Sequence, residues 1–183
     1  MNKKKYIWLV IISGFFIFSL IGIWGICSYP IDRYNGVNVY ININSGKRNI
    51  AKDGYNIGLK YQCVEFVKRY YYVHLKHKMP YSYGHAKDFY DKALIDGQKS
   101  TARDLIQYSN PSRTKPKVDD LIVFGATRFN PYGHVAIISK VTDDKIEIVQ
   151  QNTGLRTRAT FTLKKTGNWW KIHVNALGWL RKD

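Results

Sequence analysis

The sequence is poor in cysteine. It contains two cysteines, Cys27 and Cys63, among 183 residues. Cys27 ends an apolar amino-terminal run, so the rest of the chain holds a single thiol and cannot form an internal disulfide. A disulfide-stabilised scaffold is therefore excluded, and Cys63 is either a buried small side chain or a reactive group.

Acidic residues are also scarce, since 13 Asp and Glu stand against 29 Lys and Arg, for a formal net charge of +16. Such an excess attracts anionic partners, such as phospholipid head groups, wall polymers or nucleic acid, without selecting among them. No nucleic-acid-binding motif accompanies the charge, and we predict no nucleic-acid partner. Internal repeats are absent, and hydrophobic residues make up 45% of the chain, enough for one folded domain.

The amino terminus carries the longest apolar segment. Lysines at positions 3–5 precede an uncharged run over residues 7–27, close to the roughly 20 residues that a helix needs to cross a bilayer. A signal peptide is the alternative, but its apolar part spans only about 7–15 residues, and no small-residue cleavage site is present. We expect residues 1–27 to form a retained single-pass anchor in the cell membrane, with residues 28–183 as an extracytoplasmic domain.

Hydrophobic spacing predicts a helix early in this domain and strands late in it. Between Gln62 and His77, apolar residues recur every three or four positions, the spacing of an amphipathic helix. Residues 85–107 are expected to hold one or two further helices. A strand or an extended arm is predicted at positions 37–43, and strands at positions 121–124, 134–141, 146–149, 160–163 and 172–180. This order predicts the α+β class, with an antiparallel sheet following the helix.

Cys63 and His134 fall where a thiol can be activated, because Cys63 opens the predicted helix and His134 opens a predicted strand. Unpaired N–H groups and the dipole at a helix amino terminus favour a thiolate and can stabilise an oxyanion. A histidine on a neighbouring strand can act as base if a third group orients its far nitrogen. This placement predicts a Cys–His nucleophilic site of the papain-like kind.

Five blocks of sequence resemble a known family. Residues 58–67, GLKYQCVEFV, are similar to the nucleophile motif of CHAP domains, the cysteine, histidine-dependent amidohydrolases/peptidases. Residues 120–124, 133–138, 149–152 and 177–179 resemble the later blocks in the same order. Within the family, the motifs are most similar to the amidase domain of glutathionylspermidine synthetase/amidase. The resemblance implies a papain-like fold and amide hydrolysis through a thioester.

The resemblance also implies a catalytic triad of Cys63, His134 and the group at position 150. Gln150 stands where a glutamate is common, and it can accept a hydrogen bond from the imidazole without adding charge, so we expect activity to survive. Asn152 is a second expected partner of His134, since it falls two residues further along the same strand face. Gln62 is expected either to donate to the oxyanion or to satisfy backbone groups at the helix start.

Three functions remain open at this point. The expected anchor and the positive charge favour an amidase or endopeptidase of peptidoglycan, while the motifs favour a glutathionylspermidine-type amidase. Gln150 alone favours a catalytically inactive, CHAP-like binding module. His74, His77 and His85 show no common zinc-binding spacing. We therefore expect no metal and no cofactor, with peptidoglycan or a small amide as the substrate.

Overall fold

A computed structural model describes residues 30–43 and 46–183, and within them the chain forms one α-helix and twelve strands. The elements are β1 (Pro30–Tyr34), β2 (Val37–Tyr40), β3 (Arg48–Ile50), β4 (Asn56–Leu59), α1 (Cys63–Val73), a 3-10 turn (Ala86–Phe89), β5 (Gln98–Ser100), β6 (Leu105–Ser109), β7 (Leu121–Phe124), β8 (His134–Val141), β9 (Lys145–Val149), β10 (Arg158–Thr166), β11 (Trp169–Ile172) and β12 (Ala176–Arg181). Most of the regular structure is therefore sheet.

Eight strands form one sheet in the order β11-β10-β9-β8-β7-β12-β6-β5, while β1 pairs with β2 and β3 with β4 in two separate ribbons. An antiparallel bridge joins Ser112, which follows β6, to Trp170 in the edge strand β11. Their amide groups bond each other's carbonyls at 3.0 and 2.7 Å. Because β6 and β11 lie near opposite ends of the strand order, the sheet must curl strongly to make this bridge.

Strand β8 lies between two apolar cores, and its successive side chains point alternately into one and the other. Val135 and Ile137 belong to the cluster that also contains the buried face of α1. Ala136 and Ile138 belong to a second cluster on the opposite face of the sheet. All four side chains are fully buried. Strand β8 is therefore held from both sides, and this fixes the position of His134 at its first residue.

Helix α1 begins at Cys63, as the apolar spacing predicts, and packs one face on the first core. Four side chains of this face are fully buried, namely Phe66, Val67, Tyr70 and Tyr71. The helix ends at Val73, short of the predicted end at His77. The buried ring of His77 instead contacts the carbonyl oxygen of Arg103 at 2.9 Å.

The helices predicted for residues 85–107 are wrong. A single 3-10 turn and the strands β5 and β6 occupy that segment. Strand β6 pairs with β12, with Gln107 opposite Leu180 and Ser109 opposite Gly178, so partners far along the chain decide its conformation. With one α-helix against twelve strands in the described residues, the predicted α+β class fits only loosely.

The predicted membrane location is also corrected. No helix within residues 30–43 and 46–183 is long and apolar enough to cross a membrane, since α1 has 11 residues where about 20 are needed. The predicted span over residues 7–27, and with it the predicted boundary between residues 1–27 and 28–183, lies outside the described residues. The described chain thus gives no support to a single-pass membrane protein.

Candidate active site

One cleft, with a volume of about 540 Å³, contains both Cys63 and His134. Four segments form its walls: the β3–β4 ribbon, the start of α1, residues 82–86 and residues 130–134. Gln62 and Asn152 also line it. Four of the five predicted site residues therefore line one cleft, although they come from segments that lie far apart in the sequence.

The thiol of Cys63 lies at the first residue of α1. Gln62, directly before it, is extended, with φ −79° and ψ 159°, and makes no side-chain cap to the helix. Burial raises the pKa of the Cys63 thiol, while hydrogen bonds from backbone groups of Val135 and Val64 at the sulfur lower it. Since burial is the larger effect, the thiol needs a base to take its proton near neutral pH.

His134 is oriented by Gln150, whose buried side chain makes two hydrogen bonds. The ring Nε2 contacts Gln150 Oε1 at 3.0 Å, and Gln150 Nε2 donates to the carbonyl oxygen of Arg156 at 2.9 Å. The second bond fixes which end of the amide faces the ring. Because an amide oxygen only accepts, the ring donates from Nε2, and its Nδ1 carries no hydrogen. The imidazole thus keeps one nitrogen able to accept a proton.

Gly133 makes the start of β8 possible. Its φ is +72°, and a Cβ there would lie 2.6 Å from the carbonyl oxygen of Phe124 and 3.0 Å from Lys87 Cβ. Both the left-handed backbone and the close approach require glycine. The 3-10 turn is hydrogen-bonded to the loop that precedes Gly133, since the amide of Lys87 donates to the carbonyl of Tyr132 at 3.0 Å. The Gly133–His134 pair therefore sets the imidazole against this wall of the cleft.

Asn152 contacts Gln62 rather than His134. Its Nδ2 donates to Gln62 Oε1 at 2.6 Å, and its Oδ1 accepts from Asn42 Nδ2 at 2.7 Å. Strand β9 ends at Val149, and Asn152 has a φ of +69°, so strand alternation no longer governs where its side chain points. The contact holds the carbonyl end of the Gln62 side chain.

A buried network that sequence reasoning missed joins the two halves of the site. Glu65, which is 2% exposed, pairs with Arg69 at 2.7 Å and accepts from Gln151 Nε2 at 3.0 Å. Gln151 Nε2 also donates to the carbonyl of Gln62 at 3.0 Å. The segment that carries Gln150 is thereby tied to the start of α1. No local pattern signals this network, because β9 ends at Val149 and Gln151 lies beyond the alternating strand.

The remaining histidines are engaged elsewhere. His85 stacks on Tyr132, with ring centres 4.6 Å apart, and His74 lies 3.3 Å from the side-chain amide of Asn35. Within the described part of the chain, no cluster of three or more His, Cys, Asp or Glu side chains is placed to hold a metal ion.

A thiol at a helix start and an imidazole bonded to a side-chain amide resemble the arrangement of papain-like cysteine–histidine sites. Residues 53–152 match the model of the CHAP domain family. The chain belongs to this family, and the resemblance stated from its motifs is confirmed. CHAP domains have a papain-like fold and form a family of cysteine, histidine-dependent amidohydrolases/peptidases.

Two relatives come from Crithidia fasciculata. Trypanothione synthetase is 32% identical over 115 residues, which cover 63% of this chain and 18% of the relative. Glutathionylspermidine synthase is 31% identical over 101 residues, which cover 54% of this chain and 14% of the relative. The chain thus spans less than a fifth of either. The crystal structure of Ly7917 aligns over 50% of this chain and 40% of that chain, at 21% identity and a TM-score of 0.29, too low to support an argument.

Proposed function

We propose that the chain is a thiol-dependent amidase that uses Cys63 as nucleophile and His134 as base. The observation that carries this proposal is the ordered chain from His134 to Gln150 to the carbonyl of Arg156. It holds the proton on Nε2 and leaves Nδ1 as an acceptor in the cleft that contains the thiol. A histidine with a merely structural role has no need of this tautomer.

In the proposed reaction, His134 Nδ1 takes the thiol proton as the sulfur of Cys63 attacks the amide carbonyl carbon. A C–S bond forms, and the carbonyl becomes an oxyanion. The imidazolium then protonates the leaving amine, the C–N bond breaks, and a thioester remains. Water, deprotonated by the same imidazole, releases the acid and restores the thiol.

The oxyanion would be stabilised by two kinds of donor at the start of α1. Backbone N–H groups of the first helical turn point to this end of the helix. Gln62, whose carbonyl end is held by Asn152 at 2.6 Å, would add its side-chain Nε2. Removal of one such donor typically lowers kcat by about 10²–10³.

The substrate we favour is the peptide part of peptidoglycan, cut either within the stem peptides or at the amide that joins them to glycan. Two observations support it. The formal net charge of +16 suits an anionic matrix. In addition, no acidic residue is among the described residues that line the cleft, which suits a peptide bearing carboxylates.

A glutathionylspermidine-type amide is the second candidate. It is supported by the relatives, since one is named glutathionylspermidine synthase and another trypanothione synthetase. The lining of the cleft does not favour the polyamine half of such a substrate, because it contains no carboxylate to pair with an ammonium group.

The assay that tests the proposal uses the 183-residue chain beside its Cys63→Ala variant. Each protein is incubated with purified sacculi and, separately, with glutathionylspermidine, and the products are identified by mass spectrometry. New muropeptides that are absent with the variant support a wall amidase and identify the bond. Cleavage of glutathionylspermidine alone moves the assignment to the second candidate. If both substrates survive and the Cys63 thiol reacts no faster than free cysteine, the protein is an inactive binding module.

The pH dependence of the reaction follows from the buried imidazole. Burial lowers the pKa of His134 below its ordinary value of 6.5, and the bond to Gln150 opposes this effect only in part. Because the base must be unprotonated, activity should be complete above the ordinary value and fall only as the pH drops through the lowered pKa. We expect the acid limb of kcat/KM to have its midpoint below 6.5. A midpoint at or above that value, measured on the preferred substrate, contradicts a buried neutral base.

A further inference from the structure

The charges that line the cleft are unbalanced. Arg48 is the one Lys or Arg among its described lining residues, and no Asp or Glu is present there. Arg48 belongs to β3 and lies opposite Leu59 of β4, the strand that leads into Gln62 and Cys63. The cation is therefore attached through a short antiparallel ribbon to the segment that carries the nucleophile.

The guanidinium of Arg48 is oriented although it has no acidic partner. Its central carbon lies 5.3 Å from the ring centre of Tyr83, which also lines the cleft. Arg48 takes part in none of the ion pairs formed within residues 30–43 and 46–183. An arginine stacked on an aromatic ring keeps its N–H edge available for a bidentate acceptor.

Two buried cations lie behind the same wall. Lys68, fully buried, donates to the carbonyl oxygens of Asn56 and Ser82, and Arg103, 2% exposed, donates to that of Tyr81 at 2.7 Å. Neither forms an ion pair in the described residues. Burial, together with the charges of Arg103 and Arg48, lowers the pKa of Lys68 to about 8. Lys68 is thus close enough to both arginines to be repelled by their charges.

One acid, Asp88, offsets part of this charge, since burial lowers the pKa of Arg103 and the charge of Asp88 opposes that effect. The carboxylate of Asp88 accepts from the backbone amide of His85 at 2.8 Å, which caps the 3-10 turn, and it does not line the cleft. Arg48, which is exposed, therefore presents its positive charge to the cleft. An anion bound beside Arg48 would relieve the repulsion between Arg48 and Lys68.

We infer that Arg48 is a specificity-determining residue that binds a carboxylate of the substrate beside the amide cleaved at Cys63. This inference rests on the proposed amidase function and narrows it to substrates with a free carboxylate near the scissile bond. The guanidinium meets that carboxylate through two N–H groups while Tyr83 holds its plane. The positive charge of Arg48 repels a polyamine, so a cationic leaving group would have to bind away from this residue.

The first test compares Arg48→Met and Arg48→Lys with Arg113→Met in the full chain. Arg113 is a matched control, since its guanidinium also lies 5.3 Å from an aromatic ring, that of Trp169, outside the cleft. The substrate is whichever one the native protein cleaves, beside its analogue with carboxamide in place of carboxylate. For stem peptides these are the isoglutamate and isoglutamine forms.

Arg48→Met should lower kcat/KM on the carboxylate substrate at least about tenfold, chiefly through KM, and change it less than about twofold on the carboxamide. Arg48→Lys should recover part of the loss, because a point charge replaces the planar fork. Arg113→Met should match the native protein on both substrates. Equal losses on carboxylate and carboxamide, or no loss on either, overturn the inference.

The second test does not depend on turnover. Iodoacetate and iodoacetamide are similar in size, but only iodoacetate is an anion, so the ratio of their rates with Cys63 reports the potential at the thiol. Arg48→Met should lower this ratio by about threefold or more, while Arg113→Met leaves it unchanged. If no substrate is cleaved, the proposed function fails, and this ratio alone decides on the anion site. An unchanged ratio in Arg48→Met overturns the inference.

Discussion

Replacing His134 with glutamine is expected to lower kcat by about a thousandfold or more, because the reaction loses its proton acceptor. Burial raises the pKa of the Cys63 thiol, so without the imidazole the thiol stays protonated near neutral pH. The rate of Cys63 alkylation by iodoacetamide should therefore fall with kcat, to that of free cysteine or below. Steady-state kinetics and alkylation followed by mass spectrometry measure the two effects.

His173→Gln is the matched control for this substitution. His173 is exposed and lies outside the cleft, in the segment between β11 and β12, so kcat and the alkylation rate should both stay native. Thermal unfolding of the two variants shows whether either has lost its fold. A folded His134→Gln protein that keeps more than about a tenth of native kcat would exclude His134 as the base.

The strands of the second half and the start of α1 could be predicted because their signals are local. The β8 sequence alternates between two faces that are both buried, and its run of Val and Ile favours a strand whatever its partners. The turn after it is also local, since the amide of Thr142 donates to the carbonyl of Lys145 at 2.8 Å. Cys63 and His134 could be assigned together because each opens such an element.

Residues 85–107 could not be predicted for the opposite reason. Their apolar residues are spaced in a way that favours helix, yet Leu105 and Gln107 are fully buried in a strand whose partner is β12. The Gln107 side chain also bonds both the amide and the carbonyl of Asp91 at 2.8 Å. These contacts form only when the whole sheet is assembled, and they override local preference.

The meeting of Cys63 and His134 in one cleft could be predicted from the sequence, whereas the walls of the cleft could not. Residue types and their order indicate a thiol and its base, whereas Arg48 and Tyr83 come from segments that have no pattern of their own. Their contact at 5.3 Å depends on the path of the loop that follows α1. The predicted contact of Asn152 with His134 is wrong for a related reason. It assumed that the alternation of strand β9 continues past Val149, where the strand ends.

Gln150→Ala is expected to lower kcat about a hundredfold with little change in KM. The side chain makes the bond at 3.0 Å that fixes the ring, and without it the imidazole can rotate and place its proton on either nitrogen. The loss should be smaller than that of His134→Gln, because the base itself remains. Steady-state kinetics above the acid limb measures kcat and KM separately. A variant with native kcat would show that position 150 does not orient the ring.

Gln150→Glu separates orientation from charge at the same position. A carboxylate beside the ring stabilises the imidazolium and raises the pKa of His134, so the acid limb of kcat/KM should move to higher pH. The same change should increase the fraction of thiolate and speed alkylation of Cys63. One carboxylate oxygen would face the carbonyl oxygen of Arg156, which now accepts a bond at 2.9 Å, so the variant should also unfold at lower temperature. An acid limb that stays in place, in a folded protein, would mean that the group titrating in the reaction is not the ring bonded to position 150.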